Sequence, residues 1–412
     1  MTPVPGPVPL LPAAGAPAAA RAETAARAET AARSVRRLFG GRALGVPGTL
    51  LGAPALPRPA SRRAPWHYWW QAHLLDALVD AGRRALAAGD RPAARTAARD
   101  GHRLLRGITL RSGGRVDRNS YYDDMAWLLL AVGRLAGLDR ELGDRPGLDC
   151  LDAGAALLAR LERGHTGDLG GGVFWNDAHD YKNTASSAPA ALAFVRTHRP
   201  ERADAVLTWL DEVLWDPERR VYLDGVRLVA AGSGTEVTRL DRGLHSYNAG
   251  PVLGAVLELA DAPGTGPARR RELLERAGAV VEGAAGAFSR EHAGAPVLVA
   301  HGGGDGGLFT GILARYLADA AGHPGLDVRA RATAAGLVAA TAEALWAGRR
   351  EFDPAVDFAD PEAGGSGETV AIFSPDPFRP ADEAQRPGVP VELSTQVQAW
   401  TVLEAAARSA ER

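Results

Sequence analysis

The chain is poor in several residue types, and each shortage excludes something. Cys150 is the one cysteine among 412 residues, so no intramolecular disulfide can form and a cysteine-based metal site is excluded. No apolar run is long enough to span a bilayer. The formal net charge is −2, which gives no electrostatic bias toward nucleic acid or membrane surfaces. The histidines lack His-x-x-x-His spacing, and neither a metal nor a cofactor is expected. Met1 to Ala20 is rich in Pro and Ala and has no basic segment before its broken apolar stretch. It is expected to be disordered and not to act as an ordinary secretory signal, which implies a cytoplasmic protein.

Two further scarcities point inward. Lys182 is the sole lysine, and Asn119, Asn176, Asn183 and Asn248 are the only asparagines. All five fall in aromatic or Gly-rich segments and none on an ordinary surface helix. This clustering suggests side-chain chemistry that Arg, Asp or Ser cannot replace.

With 46% hydrophobic residues, the chain is that of a globular protein with a sizeable core. Apolar periodicity and breakers predict about twelve helices, near 21–39, 66–88, 92–108, 120–137, 147–163, 184–198, 201–215, 245–260, 267–288, 306–321, 327–347 and 391–410. Odd-numbered segments are Ala/Arg/Glu-rich and amphipathic, as outer helices are. Even-numbered ones are more apolar or small, as inner helices are. That alternation predicts an all-α (α/α)6 toroid formed by residues 21–412 as one domain. A small hairpin is expected at Arg220 to Leu228, where Asp224-Gly225 suits a type I′ turn.

Most even-numbered helices open with a polar or aromatic motif. The most informative holds Asp123 and Asp124, side by side between Tyr121-Tyr122 and Met125-Ala126-Trp127. Met125, Leu128, Leu129, Val132 and Leu135 follow at helical spacing, so one face of this helix is buried. Ser120 as N-cap and Asp123 at the third helical position read as a capping box. An acidic residue in a first turn gains roughly 0.3–1 kcal/mol from the helix dipole. That accounts for one aspartate, but not for a second one ringed by Tyr and Trp. Retaining glycosidases place two carboxyl groups about 5–5.5 Å apart. Adjacent residues, with Cα atoms about 3.8 Å apart, can reach that separation.

The ordered set YYDDMAW, GGGVFWN followed by KNT, YLDG, SYNAG and GGGDGGLF resembles glycoside hydrolase family 76, from about Arg21 to the end of the chain. The chain departs from the family pattern at Ala249, where Gln is expected, and at Thr310, where Lys is common. The resemblance implies an (α/α)6 barrel and a retaining hydrolase of α-mannosides, most directly α-1,6-linked mannan or mannooligosaccharides. Asp123 would be the nucleophile and Asp124 the general acid/base, with Tyr122 or a neighbouring amide steadying the ionised partner.

The other motif residues then read as sugar binders. Tyr68 and Trp175 offer flat apolar faces. Asn119, Asn176, Asn183, Asn248, Asp224 and Asp305 offer groups for hydroxyls, and Tyr247 lies in one of the same motifs. Lys182 is expected either in the cleft or in a structural ion pair, while Trp69, Trp70 and Trp127 are expected in the core. Two other functions share the toroid. An N-acylglucosamine-epimerase-like isomerase would use His67, His245 and His301, and a non-catalytic scaffold would bind glycan without turnover.

Overall fold

The computed structural model describes residues 18–59, 61, 64–230, 236–354, 367–386 and 388–411. Twelve long helices carry the architecture among these residues. They are α1 (Ala18–Phe39), α2 (Tyr68–Ala87), α3 (Arg91–Arg111), α4 (Tyr122–Glu141), α5 (Leu148–Gly164), α6 (Thr184–Arg196), α7 (Pro200–Val213), α8 (Ser246–Ala260), α9 (Pro267–Ala287), α10 (Phe309–Gly322), α11 (Val328–Ala347) and α12 (Leu393–Glu411). Local chemistry starts several of them. Asp90 accepts from the Ala93 amide at 2.9 Å and Pro92 sits in the first turn of α3. Asp327 caps α11 and Asn183 caps α6 in the same way.

The even-numbered helices close into an inner ring, α2–α4–α6–α8–α10–α12, with α12 returning to α2. Each odd-numbered helix packs outside one or two of them, α3 on α2 and α1 on α12 among others. This is an (α/α)6 barrel. Small residues let the inner helices approach closely: a Cβ on Gly254 of α8 would sit 2.6 Å from the Tyr316 ring of α10. The apolar core runs from Ala28 to Ala407. No helix among the described residues is long and apolar enough to cross a membrane.

Where the inner helices end, the barrel is closed by charge. Asp76 and Asp80 of α2 pair with Arg134 of α4 and Arg315 of α10; Arg315 Nη1 lies 2.5 Å from Asp80. Glu404 of α12 holds Arg84 at 2.9 Å. A hollow of about 930 Å³ opens on this network and contains neither Asp123 nor Asp124.

Two local expectations change. Asp224-Gly225 does not close a hairpin. Val221–Tyr222 pairs back with Trp215–Asp216, while β2 (Gly225–Ala230) lies between β1 (Tyr181–Asn183) and β3 (Glu236–Asp241). Gly225 serves close strand approach instead, since a Cβ there would lie 2.6 Å from the Lys182 carbonyl oxygen. The Pro/Ala-rich start falls outside the described residues up to position 17, and α1 already begins at Ala18.

Candidate active site

The N-terminal ends of five inner helices meet at a cleft of about 530 Å³. It is lined by Tyr68 and Trp69 of α2, Asp123, Asp124 and Trp127 of α4, Asn183 before α6, Tyr247 of α8, and Asp305 and Phe309 at α10. Helix N-termini carry partial positive charge, which favours carboxylates in this place.

Helix α4 begins at Tyr122, with Tyr121 at the N-cap position and no side-chain cap, so Ser120 does not form the expected capping box. A neighbouring strand-like segment takes its place. The Tyr122 amide donates to the Trp175 carbonyl at 2.8 Å, and Asp123 Oδ1 accepts from the Asp124 amide at 2.9 Å. The Trp175 indole N–H donates to Asp123 Oδ2 at 3.1 Å. Both oxygens of Asp123 therefore face an N–H donor. Asp124 Oδ2 accepts from Asn119 Nδ2 at 2.7 Å.

Both carboxyls are raised. Burial, then the Asp124 charge, pushes Asp123 well above the usual carboxylate range. Burial, opposed by the Asn119 hydrogen bond and aided by Asp305, brings Asp124 up to about 7. Two such neighbours share one negative charge near neutral pH. Burial and the Asp124 charge outweigh the donors and raise Asp123 even above Asp124. The two N–H donors on Asp123 act the other way, because they can donate only to lone pairs and so favour the anion there. Asp123 thus accepts from two N–H groups and Asp124 from one, the geometric asymmetry between the two carboxyls.

Several expected sugar binders have other tasks. Asn119 has both amide functions occupied, one by Asp124 and the other by the Tyr121 amide at 2.9 Å. Tyr122 is 2% exposed, its hydroxyl lies 3.2 Å from His179 Nε2, and it does not line the cleft; the Asp124 amide and Trp175 hold Asp123 instead. Asn176 turns its side chain to the Ala178 amide. Lys182 is fully buried, with Nζ within 3.0 Å of Thr166 O and Oγ1, Asp168 O and Gly171 O, and over the Phe174 ring. It organises the glycine loop behind the cleft, and burial lowers it to about 8. A compact ammonium fits this ring of oxygens, whereas a planar guanidinium does not. Asn248 donates to Asp224 Oδ1 at 3.2 Å and stands behind the cleft rather than on it.

Others lie on the cleft. Asp224 accepts from the Tyr181 hydroxyl at 2.6 Å. Asp305 Oδ1 accepts from the indoles of Trp69 and Trp70 at 2.9 and 2.8 Å. Tyr247 stacks on Phe309, with ring centroids 4.0 Å apart. Asn183 lines the wall while its Oδ1 caps α6, and Tyr68 lines it with its hydroxyl tied to Val116 O at 2.8 Å. Trp70 and Trp127 are buried in the core as expected, Trp127 also meeting the cleft wall, whereas the partly buried Trp69 reaches the cleft. Tyr121, Tyr181, Arg227, Asp241, His67 and His245 also line it. Tyr181 stands beside Lys182-Asn183 in a motif and was open to notice. Arg227 and Asp241 arrive on β2 and β3, and nothing local in the sequence marks them.

A model of glycosyl hydrolase family 76 matches residues 23–354. No curated protein matches the chain. Among solved structures, the α-1,6-mannanase of Salegentibacter sp. HEL1_6 is 25% identical, covers 93% of this chain and 99% of its own, and superposes with a TM-score of 0.71. An inactive variant of that enzyme, with two adjacent aspartates changed to asparagine and α-1,6-mannotriose bound, is 24% identical, with coverage of 93% and 99% and a TM-score of 0.70. A family 76 mannosidase from Bacteroides thetaiotaomicron is 16% identical, with coverage of 93% and 98% and a TM-score of 0.64.

Proposed function

Because the chain belongs to glycosyl hydrolase family 76 and is a glycoside hydrolase, we propose that it cleaves α-1,6-linked mannan or mannooligosaccharides with retention of configuration. The observation that carries the mechanism is the asymmetry of the aspartate pair. Two N–H donors favour the anion on Asp123, whereas Asp124, with a single donor, is raised by burial and keeps a proton available beside that anion. Asp123 attacks the anomeric carbon as the glycosidic C–O bond breaks, and the Asp124 proton passes to the leaving oxygen. Asp124 then takes a proton from water, whose oxygen attacks the same carbon and frees Asp123.

The choice of substrate draws on the solved mannanases and on the cleft itself. Trp69, Tyr121, Trp175 and Tyr247 provide ring faces for the C–H side of a pyranose, and Asp224, Asp305, Asp241 and Arg227 provide hydroxyl partners. Asp123 and Asp124 match in kind the adjacent aspartates altered in the inactive mannanase. An isomerase would rest on His67, His245 and His301; the family assignment removes that alternative.

The test is incubation with α-1,6-mannotetraose, with chromatography of the products and NMR of the first anomer released. Shorter mannooligosaccharides of retained configuration are expected. An unchanged sugar would overturn the substrate, and an inverted first product would overturn the mechanism.

A further inference from the structure

A cluster of potential ligand atoms lies apart from both the cleft and the charged closure of the barrel. His102 of α3, Asp139 near the end of α4, and Asp149 and Cys150 in the first turn of α5 meet where these three helices pack. His102 Nε2 is 3.1 Å from Asp139 Oδ1. Its Nδ1 is 3.0 Å from both Asp149 oxygens and 3.9 Å from Cys150 Sγ. One ligand atom each from His102, Asp139 and Cys150 can be chosen so that all three lie within 4.8 Å of one another. Cys150 is 2% exposed and Asp139 6%.

Tetrahedral zinc, with bonds of about 2.0–2.3 Å, sets its ligand atoms roughly 3.3–3.8 Å apart. The spacings around Nδ1 bracket that range. The donor set selects the metal: a thiolate and an imidazole suit zinc, whereas calcium and magnesium prefer oxygen alone. One carboxylate on the far ring nitrogen fixes the imidazole orientation, as carboxylates commonly do behind a metal-bound histidine. The sequence excluded a cysteine-based metal site because Cys150 stands alone, but that excludes only sites built on several thiolates, and the packing of three helices brings His102 and carboxylates to this one.

We infer that His102 Nδ1, Cys150 and Asp149 form a zinc site, with Asp139 orienting the imidazole from Nε2, and that it ties α3, α4 and α5 together. Zinc displaces the thiol proton to solvent and takes the imidazole in its neutral form. Asp123 and Asp139 are sixteen residues apart on α4, or about 24 Å at 1.5 Å per residue, so the site is structural and stands clear of the sugar. The competing state is an imidazolium clasped by two carboxylates with no ion.

The full-length protein, freed of metal with a chelator, is titrated with Co²⁺. One equivalent should produce a thiolate-to-cobalt charge-transfer band and the intense visible bands of four-coordinate cobalt, and one equivalent of Zn²⁺ should bleach both. Cys150→Ser should lose the charge-transfer band while its circular dichroism is unchanged, and His102→Gln should weaken binding at least tenfold. Zinc should raise the thermal midpoint of the native chain but not of Cys150→Ser, with hydrolysis the same in both. A native chain that gives no cobalt spectrum, or binds cobalt no better than Cys150→Ser, would show that the cluster is only an ion pair.

Discussion

Trp175 donates its indole N–H to Asp123 at 3.1 Å, so a residue expected only as a sugar platform also holds the carboxylate proposed as nucleophile. The two tasks are separable. Trp175→Phe keeps a ring and removes the donor. A hydrogen bond to a charged group contributes about 1.5–3 kcal/mol, so kcat should fall on the order of 10–100-fold with KM nearly constant. Trp175→Ala should in addition weaken sugar binding by roughly 1–3 kcal/mol. Steady-state kinetics on mannooligosaccharides decides, and a wild-type kcat in the Phe variant would leave the bond without a catalytic part.

The division of labour in the aspartate pair is testable with leaving groups. Asp123→Ala should turn over no substrate. Asp124→Ala should lose ordinary glycosides yet retain glycosylation from a dinitrophenyl mannoside, with azide speeding release as a glycosyl azide of retained configuration. Rescue of the Asp123 variant instead would reverse the roles.

The pH profile should reflect Asp124. In the proposed mechanism it must be protonated to release the leaving oxygen, so kcat/KM should fall with rising pH along a limb set by its raised carboxyl, above the ordinary carboxylate range. Asp305 contributes to that elevation, so Asp305→Asn should move the alkaline limb to lower pH. The Asn119 hydrogen bond opposes it, so Asn119→Ala should move the limb upward, provided Asp124 keeps its position. Coincident limbs in all three proteins would dissociate Asp124 from the profile.

Lys182 gives a stability prediction. Lys182→Met leaves buried oxygens of the 166–171 loop without their donor, at a cost of about 1–3 kcal/mol or more. Denaturant titration should show the loss, and Lys182→Arg should not restore it. Full stability in the Arg variant would mean that the pocket accepts a guanidinium.

At the other end, Asp80→Asn breaks a buried network and should cost about 3–5 kcal/mol. Burial works against ionisation of Asp80, but Arg134 and Arg315 outweigh it and hold the folded carboxyl below its usual range. A depressed folded pKa adds stability above the unfolded carboxylate value, and that contribution is lost as pH falls through the folded one. The variant's deficit should therefore shrink on acidification; a pH-independent deficit would sink this account.

The helices were legible because caps, breakers and a 3.6-residue apolar repeat are local signals, and Asp90 before Pro92 is one of them. The aspartate pair was legible because one cap needs only one carboxylate. What escaped was direction. Tyr122 and Asp123 are neighbours, yet successive helical residues point about 100° apart, and only one faces the cleft. Lys182 sits between two cleft residues on β1, and strand alternation turns it away. Arg227 and Asp241 reach the cleft through pairing with a distant strand, which no single segment encodes.

The closed ring has a consequence for timing. Helix α12 completes the circle against α2, and Glu392 just before it holds the Gly304 amide beside Asp305. Asp305 in turn is fastened to Trp69 and Trp70, more than 230 positions earlier. A chain still emerging from the ribosome holds the aspartate pair long before it holds the wall opposite. Cleavage competence should thus arrive abruptly with the last helix, and C-terminal truncations into α12 should forfeit it without passing through a half-active stage.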